Sequence, residues 1–62
     1  MHWKVGDRII YPGHLPGTIV VVHDEQQAGE LAPAVLVALD RGGFELLLGP
    51  AEVAQLRPQP DA

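Results

Sequence analysis

Residues 5–23 read VGDRIIYPGHLPGTIVVVH, two runs of strand-favouring side chains separated by prolines and glycines. Arg8-Ile9-Ile10-Tyr11 is rich in β-branched and aromatic residues, which pack well on a pleated surface. Ahead of it, Lys4-Val5-Gly6-Asp7 is a turn, with Gly6 free to take positive φ and Asp7 able to hydrogen-bond the local backbone. Pro12 ends the first strand by removing a ladder donor, and it holds Tyr11 extended. Leu15-Pro16-Gly17-Thr18 fits a type II turn, proline second and glycine third, where φ is positive. Thr18 to His23 is the strongest strand signal in the chain. His14 falls on the loop between the two strands.

Outward from this stretch, Asp24 to Pro33 (DEQQAGELAP) is polar and reads as a long, mobile hairpin loop with room for one helical turn. A second hairpin follows. Ala34–Leu39 and Phe44–Leu48 flank Asp40-Arg41-Gly42-Gly43, whose glycines suit positive-φ turn positions. Gly49-Pro50 opens a short helix, since proline is well placed at a first helical position. Ala51 to Gln55 supplies about one turn, too little to stand alone. Leu56-Arg57 then forms a fifth short strand. The expected division is a folded domain over residues 1–57 and a flexible tail over 58–62.

Five short strands, a long loop after the second and a helical turn before the fifth predict an all-β fold, a small five-stranded SH3-like barrel. Closing a sheet on itself reduces exposed edges in a very small domain. A five-stranded oligonucleotide-binding barrel is the alternative, but it needs longer strands and a longer helix.

Strand alternation assigns the faces. Glu45 outward sends Phe44, Leu46 and Leu48 inward and leaves Leu47 outside. Thr18 outward sends Ile19 and Val21 inward, with Val20 and Val22 outside. Val35, Val37 and Leu39 share one face, Leu36 and Ala38 the other. Arg8 outward turns Ile9 and Tyr11 inward. The outer set is then Ile10, Val20, Val22, Leu36 and Leu47. Continuous apolar runs of this kind signal burial on both faces, and a contiguous exposed patch signals a contact surface for another protein.

A chain of 62 residues buries about 60% of the surface it exposes when unfolded, so it gains from reinforcement. It has no cysteine, which removes disulfides and thiolate metal sites. Four Lys and Arg stand against eight Asp and Glu, a net charge of −4. Nucleic-acid affinity rests on neutralising phosphates, so this balance argues against direct binding to nucleic acid. The longest apolar runs reach six residues, far short of the ~20 that span a bilayer. No charged n-region and apolar h-region open the chain. A cytoplasmic location without membrane contact is expected.

Chemistry is sparse. His2, His14 and His23 match no metal-ligand spacing. Thr18 has no base beside it, and Asp24, Glu25 and Glu30 read as a solvated acidic loop. Trp3, next to the first strand, reads as a cover for the open end of the fold. The expectation is a non-enzyme with no cofactor and no metal.

The residues Val5-Gly6-Asp7, Ile9-Ile10, Tyr11-Pro12, His14 and Gly17 are similar to the opening motif of a known family. It is the RNA polymerase-interacting domain shared by CarD-like bacterial transcription regulators and the transcription-repair coupling factor. The third strand AVLVAL and Pro50-Ala51-Glu52 extend the resemblance to about residue 57. It implies a Tudor- or SH3-like fold that docks on the β subunit of bacterial RNA polymerase by pairing strand edges. Leu15 stands where the family usually has glycine. Where the family presents arginines to the polymerase, this chain holds Glu25 and Leu47 or Leu48. The candidate protein-binding residues are therefore Val20, Val22, Glu25, Leu36 and Leu47. The rival function is a self-associating structural or regulatory homodimer with no polymerase contact.

Overall fold

The structure, a computed structural model, describes residues 3–24, 29 and 32–60. Five strands form one antiparallel sheet: β1 (Arg8–Tyr11), β2 (Leu15–His23), β3 (Ala34–Leu39), β4 (Glu45–Leu48) and β5 (Arg57–Pro58). A short helix, α1 (Pro50–Val53), precedes β5. The order across the sheet is β4-β3-β2-β1-β5, so β4 and β5 are its two ends. The all-β fold with one helical turn is as the residue pattern predicts.

The Val-Gly-Asp turn has a positional reason. Gly6 takes φ 94°, and its N–H donates to the Ile19 carbonyl at 2.7 Å. The Asp7 carbonyl accepts from Ile19 N–H at 2.9 Å, while the Asp7 carboxylate accepts from Lys4 N–H at 2.9 Å. The turn thus docks the chain on β2 just before β1 begins. Trp3 packs against the buried cluster, in keeping with a covering role.

The first hairpin turns earlier than the expected type II turn. Tyr11 pairs with Leu15, which leaves Pro12, Gly13 and His14 as the loop. Gly13 and His14 take the positive φ values, 98° and 62°, and Leu15, Pro16 and Gly17 are already strand. Gly17 is needed for closeness instead. A Cβ there would lie 2.9 Å from both the Ala38 carbonyl oxygen and Val37 Cγ1. The bare backbone lets β2 pass tightly between Ile9 of β1 and Leu39 of β3.

The core is a single cluster of Ile9, Ile19, Val35, Val37, Leu48, Val53 and Leu56, all buried. Burying an aliphatic side chain of this size contributes about 1.5–3 kcal/mol. Alternation in β3 delivers Val35 and Val37 inward as expected, and Leu48 follows on β4. In β2 the register shifts between Ile19 and Val21, a β-bulge that adds Val20 and reverses the parity. Val22, expected outside, therefore packs against the core, and Val21, expected inside, pairs with Leu36 on the outer face. Phe44 also departs from expectation: it is 66% exposed. Phe44 lies just outside β4, its carbonyl bonded to Leu39 N–H, and its ring lies over Gly42 at the hairpin end rather than over the core.

Gly42 and Gly43 take the positive φ values expected of the second turn. Pro50 sits in the first turn of α1 behind Gly49. Val53 N–H reaches the Gly49 carbonyl, then Leu56 N–H bonds the Val53 carbonyl at 3.1 Å. That tightening delivers Val53 and Leu56 into the core. The sheet also runs past the expected boundary at residue 57, since Pro58 pairs with Ile9 and Gln59 N–H donates to the Arg8 carbonyl at 3.1 Å. The Asp24–Pro33 loop falls largely outside the described residues, as do Glu25 and His2.

Candidate protein-interaction surface

The outer face of the sheet has an apolar end and a polar middle. Val21, Leu36 and Leu47 lie directly opposite one another on β2, β3 and β4. The adjacent row, Val22, Val35 and Leu48, faces the core. Leu47 is 69% exposed and Leu36 half-buried, and the bulged Val20 is exposed beside them. The structure therefore brings Val20, Leu36 and Leu47 to one end of the sheet, removes Val22 to the interior, and leaves Glu25 outside the described residues.

Among the described residues β4 pairs with no strand beyond β3, and its free edge differs from that of β5. Leu39 N–H donates to the Phe44 carbonyl at 2.9 Å, which sets the phase of the β3–β4 ladder. Leu46 and Leu48 then direct their backbone groups toward β3, while Glu45 and Leu47 direct theirs away. Native edges are commonly blunted by charge, proline, a bulge or shortness; β4 (Glu-Leu-Leu-Leu) has neither proline nor bulge, is twice the length of β5, and carries one charge, Glu45. At the other end, the Gln59-to-Arg8 bond places Pro58 with its backbone away from β1. Pro58 has no N–H to offer, and β5 is only two residues long. One edge is protected and the other is left available.

The polar middle is organised by Arg8. Its guanidinium donates to Thr18 Oγ1 at 2.6 Å, to Gln59 Oε1 at 3.0 Å and to Asp40 Oδ1 at 2.8 Å, with a second, shorter bond to Asp40 Oδ2. The hydrogen bonds to Arg8 hold the Asp40 carboxyl below the usual carboxylate range, and those to Asp40 raise the Arg8 guanidinium. Four chain segments are stitched at one side chain. Sequence reasoning placed Arg8 outward but missed this network, because Asp40 and Gln59 are remote in the chain.

A groove of about 740 Å³ lies at the β1–β5 end, between the first hairpin loop and the segment that follows α1. Tyr11, His14, Gln55 and Arg57 are the residues with polar side chains among those that line it. Among the described residues no three His, Cys, Asp or Glu side chains gather as a metal site. No helix there is long and apolar enough to cross a membrane. Compared with models of protein families, with curated proteins and with solved structures, the chain finds no match.

Proposed function

We propose that the chain is a non-catalytic protein-interaction module that recruits an extended segment of its partner along β4. The open β4 edge beside exposed Leu47 is the observation that carries this reading. Strand addition draws affinity from main-chain hydrogen bonds and selectivity from side-chain contacts on alternate positions. Glu45 and Leu47 supply the outward backbone groups, and the Leu47–Leu36–Val21 row supplies an apolar seat beside them. The motif resemblance names the partner as the β subunit of bacterial RNA polymerase, which puts the module in the cytoplasm. The net charge of −4 leaves direct nucleic-acid binding out of this role.

The test is retention of the purified chain on immobilised polymerase β. Wild type should bind in the micromolar range, about −8 kcal/mol. Leu47→Glu should lose most retention while keeping the wild-type circular dichroism spectrum. Absence of wild-type retention removes the polymerase as partner.

A second copy is the rival occupant, and the spacing on β4 favours it specifically. Antiparallel pairing about Leu46 sets Glu45 opposite Leu47 of the second copy, so every outward backbone group is used. The two Glu45 carboxylates then avoid facing each other, where like charges destabilise a sheet. Light scattering decides between them: a dimer dispersed by Leu47→Glu supports self-association, and a monomer supports the heterologous partner.

A further inference from the structure

The groove at the β1–β5 end lies at the opposite end of the strand order from β4, and strand addition does not explain it. Its walls are apolar, with the Tyr11 ring and Pro12 on the hairpin side and Pro60 on the far side. Its polar side chains are all capable of donating a hydrogen bond: the Tyr11 hydroxyl, the His14 imidazole, the Gln55 amide and the Arg57 guanidinium. None of these four side chains makes a hydrogen bond or ion pair among the described residues. Arg8, by contrast, uses four of its five guanidinium donors on Asp40, Thr18 and Gln59.

Among its described lining residues the groove carries a charge opposite to that of the chain. Eight Asp and Glu residues give the protein a net charge of −4, yet none of the groove's described lining residues is acidic. The Arg57 backbone is held by pairing with Ile10, so its side chain departs from the sheet rather than from a loose terminus. A ligand that fits carries a negative group able to accept several hydrogen bonds, next to aliphatic or prolyl surface. The groove is partly open to solvent rather than enclosed. A small-molecule site generally encloses about 70–90% of its ligand, so an open trough suits an extended chain better.

We infer that this groove is a second binding site, which captures the C-terminal carboxylate of a partner polypeptide ending in apolar residues. Arg57 pairs with the carboxylate, and Gln55 and His14 donate at its flanks. The preceding side chains of the ligand lie against Tyr11 and the prolines. Because proline lines both walls, recognition here runs through side chains and the terminal charge, unlike the main-chain pairing proposed for β4.

The probe is acetyl-Ala-Pro-Leu with a free carboxylate, titrated into the ¹⁵N-labelled full chain, with its C-terminal amide as the matched control. The free acid should shift the amides of Gly13, His14, Gln55 and Arg57 and leave Glu45 and Leu47 unmoved. The amidated peptide should bind about tenfold more weakly, the loss expected for one charge-assisted hydrogen bond. Arg57→Gln should show the same loss with an otherwise unchanged spectrum. Gln55→Ala, on an exposed position, gives a second variant that leaves the sheet intact and should weaken the free acid alone. Equal binding of acid and amide, shifts confined to β4, or no shift at these four amides would each overturn the site.

Discussion

Arg8 and Asp40 form a bidentate ion pair that ties β1 to the turn leaving β3, with Thr18 of β2 hydrogen-bonded to the same guanidinium between them. The pair lies at the surface, with the two side chains 42% and 38% exposed, so water and salt screen it. Its worth is geometric: a planar fork fixes the relative position of strands that are distant in sequence.

Asp40→Asn should therefore lower the unfolding midpoint modestly near neutral pH, and the difference from wild type should shrink in high salt. The sign with pH follows from the lowered carboxyl. Asp40 stabilises the fold at pH above its ordinary value of 3.8, and that contribution is lost as pH falls through the lower folded value. Urea melts at stepped pH check this. A wild-type advantage that persists unchanged well below both values would show that the charge on Asp40 is irrelevant.

Gly17→Ala should cost about 1–3 kcal/mol, the usual range for forcing a group into a filled site. The cause is contact, not backbone conformation, because the new Cβ would stand 2.9 Å from the Ala38 oxygen. Val37→Ala alongside provides the discriminating measurement. In the double variant the Val37 Cγ1 clash is gone and part of the Gly17→Ala cost should return, as coupling between neighbours. Strict additivity would place the strain elsewhere.

These positions mark where the residue pattern was readable and where it was not. Period-two alternation located Ile9, Val35, Val37 and Leu48 correctly, because a polar residue or a turn marks the phase of each strand. It fails in β2 because Ile19-Val20-Val21-Val22 contains no polar residue to reveal the bulge, and unbroken alternation puts Val22 on the wrong face. Two Pro-Gly pairs lie close together, Pro12-Gly13 and Pro16-Gly17, and both satisfy turn chemistry. Pairing of Pro16 and Gly17 with Ile10 and Ile9 of β1, and of Gly17 with Leu39 of β3, assigns the second to a strand. Leu36 and Leu47 were legible as surface residues, but their direct opposition depends on register. The groove was not legible, since it joins the loop around His14 to a segment from the far end of the chain.

His14→Gly should leave the hairpin intact and stabilise it by about 0.5 kcal/mol. A side chain in the left-handed region costs roughly 1–2 kcal/mol, partly offset by the larger unfolded-state entropy of glycine. His14 carries that strain at φ 62° at a position that lines the groove. A thermal melt gives the stability, and the peptide titration gives the ligand response of the same variant. Loss of stability would mean that the imidazole itself supports the turn.

Leu47→Glu tests the β4 surface most directly, because Leu47 combines high exposure with outward backbone groups. At 69% exposure its side chain contributes little to the core, so the substitution should change stability by no more than about 0.5 kcal/mol. Its effect on association should be much larger. A carboxylate at position 47 would sit against Leu36 and Val21, the row on which an added strand rests, and its charge would have to be desolvated there. Glu45 on the same strand would add like-charge repulsion along the edge. Leu36→Ala is the companion variant: Leu36 is half-buried, so it should cost measurable stability and reduce association less than Leu47→Glu. If Leu36→Ala abolishes association while Leu47→Glu leaves it intact, the partner is seated on the face of the sheet rather than along its edge. If Leu47→Glu unfolds the domain, Leu47 is part of the core and the edge is not free.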